Sequence, residues 1–333
     1  VELRYMTGRY ITHFCYFASL LFSRYRFMPV LVLIAPSSTP FTEATLERVR
    51  TELDAACKQV AGGSASAVEW LEKGEAAEIT FSGLHAETAQ SLADRLLEGE
   101  AVDAAIVSET GRRKKLLVSD MDSTMITIEC IDELADYAGI KPQIAAITER
   151  AMNGELDFAA ALTERVALLK GLPESVLAQA YRERVKFMPG AKTLVQTMRK
   201  AGAHCLLVSG GFTYFTARVA EELGFHADSA NRLEIADGRL TGRVIPPILD
   251  KDSKLASLKA ECEQRNLPLS ASLAVGDGAN DLPMIQASGT GGGMGVAYHA
   301  KPVVQAQAGI RINHCDLTAL LYLQGYRKSE WVI

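Results

Sequence analysis

Asp120 and Asp122 stand two residues apart where the apolar run Leu116-Leu117-Val118 ends, and two hydroxyls, Ser123 and Thr124, follow at once. Side chains alternate in direction along a strand, so a strand that breaks into a turn here can aim both carboxylates at one small volume from different sides. One acid can then touch a substrate while the other moves protons. An isolated pair of this kind is better read as an acidic loop making Asx turns, so the chemistry depends on what else arrives at the same place. Two further stretches repeat the pattern. Cys205 to Val208 leads into Ser209-Gly210-Gly211-Phe212, and Leu273 to Val275 leads into Gly276-Asp277-Gly278-Ala279-Asn280-Asp281.

Helical patterns separate the three strands, which is the sequence sign of β-α units and a parallel sheet. In such sheets ligands lie outside the carboxyl ends of the strands, so the three loops are expected to converge. The order and spacing of the Asp120 to Thr124, Ser209 to Phe212, Lys254 and Gly276 to Asp281 blocks resemble those of the haloacid dehalogenase superfamily of phosphohydrolases. Within it they resemble the phosphoserine phosphatase family, over about Lys115 to Asp316.

The resemblance implies an α/β fold: a Rossmann-like core, with a parallel sheet and helices on both faces, carrying a helical cap. It implies Asp120 as nucleophile and Asp122 as general acid and base, with Ser209, Gly210, Gly211 and Lys254 holding the phosphoryl group. Asp120, Asp277 and the backbone carbonyl of Asp122 would hold the metal, and Asn280 and Asp281 would orient its waters and Lys254. Mg²⁺ suits this chemistry, because a phosphate dianion repels a carboxylate unless a hard, oxygen-binding cation lies between them. The implied reaction is hydrolysis of O-phospho-L-serine through an aspartyl phosphate, the last step of serine biosynthesis. In the cap, Glu129 would meet the substrate ammonium, Met152 and Phe158 would line the pocket, and Arg165 would grip the carboxylate. A helical arginine is ordinarily explained by an i,i+4 surface pair; the place of Arg165 shortly after Asp157-Phe158 favours the ligand. Since only the cap specifies serine, phosphatase or phosphotransferase action on another small phosphomonoester is the alternative. An amino-acid-sensing module with an inert core is an alternative of another class, and retention of Asp120, Asp122, Ser209, Lys254 and Asp277 argues against it.

The cap is expected at about 129–187, where apolar residues recur at helical spacing, as in Leu162, Val166 and Leu169. A smaller insertion is expected at about 231–246, two strand-like runs around the hairpin signal Asp237-Gly238. Lys254 is expected to open a helix over Leu255 to Arg265. Upstream, residues 28–110 read as strand (Val30 to Ala35), helix (Thr42 to Val60), strand (Ala67 to Leu71), strand (Ala77 to Ser82), helix (Glu87 to Leu97) and strand (Val102 to Val107). That order makes a ferredoxin-like α+β domain, similar to the ACT-type domains that precede some phosphoserine phosphatases. With no ligand signature in it, packing or homodimer formation is favoured over amino-acid sensing. Arg112-Arg113-Lys114-Lys115 reads as a solvated linker to the 111–333 phosphatase domain.

The 333-residue chain carries a formal charge of −5, which offers no basic footprint for nucleic acid. Its six scattered cysteines have neither zinc-site nor disulfide-framework spacing, so they read as reduced cytoplasmic thiols. In residues 1–27, Arg4, Arg9, Arg24 and Arg26 flank an apolar run too short to span a membrane. That segment reads as a non-structural extension ahead of Met28. The expected partner is a small-molecule substrate.

Overall fold

The computed structural model describes residues 28–60, 62–152 and 155–333. The extension expected at 1–27 lies outside the described residues. The first sheet comes from β1 (Pro29–Ile34), α1 (Glu43–Lys58), β2 (Ser64–Ala65), β3 (Glu69–Glu72), β4 (Ala76–Ser82), α2 (Ala86–Leu96) and β5 (Asp103–Ser108). β1 lies between β4 and β5, antiparallel to both, and β2 and β3 pair with the far side of β4. This is the ferredoxin-like order. Thr42 caps α1 by accepting the Thr45 amide, and the helix buries Leu46, Val49, Leu53 and Cys57 at helical spacing. The single strand expected at Ala67 to Leu71 is instead two short strands with a register shift in β3.

β1 reads both ways across its pleat. Leu31 and Leu33 join the helices of this sheet, whereas Val30, Val32 and Ile34 join the core of the rest of the chain. Both faces are therefore buried, which explains a continuous apolar run rather than alternation.

The second sheet follows from β6 (Leu116–Ser119). Four helices come next, α3 (Cys130–Tyr137), α4 (Lys141–Met152), α5 (Phe158–Leu168) and α6 (Ser175–Arg184), then α7 (Ala191–Lys200), β7 (His204–Phe212), α8 (Thr213–Leu223), β8 (Ala227–Ala236) and β9 (Arg239–Ile245). The chain closes through α9 (Lys251–Gln264), β10 (Ser272–Gly276), α10 (Leu282–Thr290), β11 (Met294–Tyr298), α11 (Pro302–Gln305), β12 (Ile310–Ile312) and α12 (Ala319–Leu323). The sheet order is β12-β11-β10-β6-β7-β8-β9, parallel throughout except that β9 returns antiparallel to β8. Alternate residues of β6 feed the two faces, Leu117 into one core and Leu116 and Val118 into the other. The α/β class with helices on both faces agrees with the reading from sequence. Among the described residues, no helix is long and apolar enough to cross a membrane.

Helices α3 to α6 leave and return through one stem, where Thr127 donates to the Lys186 carbonyl at 3.0 Å beside an Ile126–Phe187 bridge. The β8–β9 hairpin turns at Asp237 and Gly238, both with positive φ as a tight hairpin turn requires. Its tip is tied to these helices by the backbone bonds Gly171 N to Leu240 O at 2.8 Å, Leu240 N to Leu172 O at 2.9 Å and Glu174 N to Gly238 O at 2.9 Å.

Two local expectations are corrected. The helix carrying Lys254 begins at Lys251, not Leu255, because Asp250 forms a reciprocal capping box with Ser253. The basic run is not a solvated linker. Lys114 is buried and its ammonium donates to the carbonyls of Gly111 and Ser270, while Arg112 pairs with Glu78 and donates to the Leu323 and Tyr322 carbonyls. Charge in this run satisfies backbone acceptors where the two sheets meet.

Asp103 does the converse at the same junction. Its buried carboxylate accepts the consecutive amides of Asn313, His314 and Cys315 at 2.8, 3.1 and 2.9 Å. Asp103→Ala should leave three amides without their anion and lower unfolding free energy by about 3 kcal/mol, with a smaller loss for Asp103→Asn. Urea denaturation checks this; a loss below about 0.5 kcal/mol would mean that water replaces the carboxylate at those amides.

Candidate active site

The site forms where β10, β6 and β7 end side by side, their carboxyl ends aligned by the parallel register Leu117 with Leu273 and Leu117 with Cys205. Asp120 leaves β6 still held to the sheet, its amide donating to the Val275 carbonyl at 3.0 Å. The chain then turns tightly: the amides of Met125 and Ile126 both reach the Met121 carbonyl, and Ser123 takes φ 55°. Met121 and Met125 anchor this turn in the core, so the acids project from a rigid base. On the next strand Gly276 allows a close approach that no other residue would. A Cβ there would lie 2.3 Å from Cγ of Asp281, and that carboxylate accepts the Gly278 amide at 2.9 Å.

One carboxylate oxygen from each of Asp120, Asp277 and Asp281 lies within 4.8 Å of the others, and all three residues are buried. Lys254 enters from α9 and places its buried ammonium 2.6 Å from Oδ1 of Asp120 and 2.6 Å from Oδ1 of Asp281. Burial alone would depress the lysine, but the Asp120 and Asp281 charges win and hold it protonated. One cation does not balance three anions. Burial, followed by repulsion from Asp281, pushes Asp120 well above the carboxylate range, and the same two causes raise Asp277 to about 6. A cluster of hard oxygens with excess negative charge fits a hard divalent cation. Asp281, expected only to orient the site, is thus part of the acidic cluster. Thr124 also reaches it, its hydroxyl 3.4 Å from Oδ1 of Asp277.

Asp122 is set apart from the cluster. Its Oδ1 is sealed from solvent and has no hydrogen-bond partner. Burial and the nearby Glu129 charge raise its pKa to about 7, against the opposing pull of Cys130. A carboxyl poised near neutrality is suited to give and take a proton. Glu129, exposed at the N-cap position of α3 and making no side-chain capping bond, accepts the Ser123 hydroxyl at 2.7 Å.

From β7, buried Ser209 accepts the Gly211 amide on its hydroxyl oxygen at 2.8 Å, leaving the hydroxyl proton free to donate. A Cβ on Gly211 would lie 3.0 Å from Oδ2 of Asp122, so this loop and the Asp122 carboxyl are in contact. A Cβ on Gly210 would lie 2.9 Å from the Phe158 ring, so the first residue of α5 lies directly over the loop. Arg165 comes seven residues later on the same helical face. Its guanidinium makes only a 3.3 Å bond to the Ala161 carbonyl; among the described residues no carboxylate lies within ion-pair distance. Burial lowers its pKa, with the charges of Asp132 and Glu129 opposing. Asn280 adjoins Gly278, whose hypothetical Cβ would lie 2.3 Å from its Oδ1. The side chain of Met152 lies outside the described residues.

Carboxylates, a lysine and a hydroxyl gathered at the strand ends of a doubly wound sheet, under a helical cover, define a site for phosphoryl chemistry on a small molecule. The sequence pattern of the haloacid dehalogenase-like hydrolases matches residues 117–286, and the chain belongs to that family. It is 48% identical over 214 residues to a phosphoserine phosphatase of Polaromonas sp., covering 63% of this chain and 89% of that one. A phosphoserine phosphatase of Streptococcus thermophilus is 49% identical over 204 residues, 61% of this chain and 93% of the other. The unliganded crystal structure of a probable phosphoserine phosphatase from Vibrio cholerae aligns over 92% of this chain and 88% of its own, with TM-score 0.72 and 33% identity.

The unbalanced acids predict a stability–function conflict. Folding raises Asp277 from an ordinary 3.8 to about 6, so its ionised form opposes folding above that pH, and protonation on acidification removes the opposition. Asp277→Asn in chelator should therefore be more stable than the parent by about 2 kcal/mol near pH 8, with the advantage fading as pH falls through about 6 towards 4. Saturating divalent cation should reverse the order, because only the parent retains the full site. Thermal denaturation under the three conditions checks this, and a pH-independent difference would refute it.

Proposed function

We propose that this chain hydrolyses O-phospho-L-serine to L-serine and inorganic phosphate, with Mg²⁺ as its metal. The observation that carries the reading is the separation of roles between Asp120 and Asp122. Asp120 is bound to Lys254 within the acidic cluster, whereas Asp122 stands two residues away with a sealed, unpartnered oxygen and a pKa near neutrality. Relatives that are phosphoserine phosphatases over most of their own length support the same activity.

Asp120, Asp277 and Asp281, with the Asp122 carbonyl as a further donor, would hold the cation, which would supply the positive charge that lets a carboxylate approach a phosphate dianion. Asp120 attacks phosphorus in line and forms an aspartyl phosphate as the bond from phosphorus to the seryl oxygen breaks. Asp122 gives its proton to that departing oxygen. As a carboxylate it then takes a proton from the water that attacks phosphorus, which frees Asp120 and releases phosphate. The Ser209 hydroxyl, the amide of Gly210 and the Lys254 ammonium hold the equatorial oxygens, where positioned donors stabilise the charge of the transition state. Phe158 covers the loop and excludes water. Arg165, half-buried and with no carboxylate within ion-pair distance among the described residues, binds the substrate carboxylate, and Glu129 binds the ammonium; Met152 is assigned to the pocket by the family resemblance alone.

Release of phosphate from a panel of phosphorylated metabolites tests the assignment directly, with phosphoserine expected to lead. Asp120→Asn should form no phosphoenzyme, while Asp122→Asn should bind metal normally and lose about 10² to 10⁴ in turnover, less with the good leaving group of 4-nitrophenyl phosphate. Full activity in Asp120→Asn would rule the mechanism out.

Arg165→Ala should lower kcat/KM for phosphoserine on the order of 10- to 100-fold, the worth of a charge-assisted bidentate pair, and barely change it for 4-nitrophenyl phosphate. An equal loss on both substrates would make Arg165 a structural residue and remove the support it gives to serine.

A further inference from the structure

We infer that Asn231 is a positioning residue that holds the two phosphate-binding elements, the Ser209 loop and the helix of Lys254, in one fixed relation. The inference rests on the phosphatase reading above and deepens it. Asn231 lies on β8, outside the motifs, and is 1% exposed. The β7–β8 ladder is regular up to Val208 with Ser229 and resumes at Phe212 with Asn231. Ser209, Gly210 and Gly211 therefore face Ala230 alone, and the surplus arches out of the sheet towards Asp122.

The arch lacks the ladder bond that would hold it, and the Asn231 side chain supplies one. Its Nδ2 donates to the Gly210 carbonyl at 2.9 Å. In a trans peptide the Gly211 N–H points opposite to that carbonyl, and it donates to Ser209 Oγ at 2.8 Å. Fixing the carbonyl thus fixes which lone pair of Ser209 is occupied, and hence where its proton can be aimed. The remaining groups of the amide are spent on Leu249: Nδ2 also donates to its carbonyl at 3.1 Å, and Oδ1 accepts its amide at 2.8 Å. With donors and acceptor on opposite sides, only one orientation of the Asn231 amide satisfies all three bonds. Leu249 immediately precedes Asp250, whose capping box starts α9 and so sets the register of Lys254. One buried side chain thereby links the hydroxyl and the ammonium that grip the phosphoryl oxygens.

A positioning role has a signature that a stability role lacks. Asn231→Ala, and the near-isosteric Asn231→Asp that turns the two donor contacts into repulsions, should lower kcat on the order of 10-fold and weaken inhibition by inorganic phosphate to a similar extent. The loss should be equal for phosphoserine and 4-nitrophenyl phosphate, the reverse of the Arg165→Ala pattern. Affinity for the divalent cation should be unchanged. Thr216→Val is the control, since it removes a part-buried 2.6 Å bond to Asp228 between α8 and β8 and should lower the Tm without changing kcat or phosphate inhibition. The measurements use the full chain below the Tm of each variant. Parental kcat and phosphate inhibition in both Asn231 variants, or the same kcat loss in Thr216→Val, would overturn the inference. Should the chain prove inactive on phosphoserine but active on 4-nitrophenyl phosphate, the serine assignment fails while the phosphate readout still decides the role of Asn231.

Discussion

Three carboxylates and one ammonium share a volume from which water is largely excluded, and that imbalance of charge is the constraint around which the rest is built. Two like charges about 4 Å apart repel by about 4 kcal/mol at the effective dielectric of a partly polar interior. Lys254 offsets part of the repulsion at Asp120 and Asp281, yet Asp120 and Asp277 both stay raised by burial and by the Asp281 charge. Such an arrangement holds together only if each acid is fixed from behind. Asp120 is fixed by the sheet bond to Val275, Asp281 by the Gly278 amide, and the turn after Asp120 by buried Met121 and Met125. The unspent negative charge is the recognition element for a cation, and through it for a phosphate.

The scaffold that tolerates this strain is a sheet buried on both faces. Alternate residues of β6 supply two separate cores, so the strand that leads into Asp120 is clamped from each side. The first sheet adds a further layer, because β1 sends Val30, Val32 and Ile34 into the core of the second. Arg112, Lys114 and Asp103 then satisfy the backbone groups at that junction. The β8–β9 hairpin joins helices α3 to α6 to the sheet by an independent route: its tip bonds to residues 171–174, between α5 and α6, and its root, through Asn231, bonds to Gly210 in the bulge of β7. The helices over the site and the bulged strand beneath them are thus connected by a strand pair as well as by the stem.

Much of this was legible in the chain because the signals are local. Apolar runs ending in Asp120, Ser209 and Asp277 mark strands that stop at a functional edge, and the hairpin announces itself in Asp237-Gly238. The misreadings have more than one cause. Arg112 and Lys114 look solvated in sequence because charge usually is, yet their partners, the carbonyls of Tyr322, Leu323 and Ser270, are over 150 residues away. The start of the Lys254 helix was missed by a few residues, although its signal, the Asp250–Ser253 capping pair, was present. Asp281 was legible as a motif residue, but not as a member of the acidic cluster, since that depends on Gly276 letting it fold back.

What the sequence determined by itself is the chemistry and the class of fold: residue types at the ends of strands, and the periods of 2 and 3.6 that bury one face or both, are properties of the chain at short range. Tertiary structure alone decided which groups share a dielectric and which hydrogen bonds cross between elements. It alone raised Asp122 to about 7 by sealing it beside Glu129, and it alone brought Asn231 against Gly210 and Leu249. Burial and Coulomb interaction depend on distance in space, and no local pattern encodes the distance between residues that the chain separates and the fold reunites.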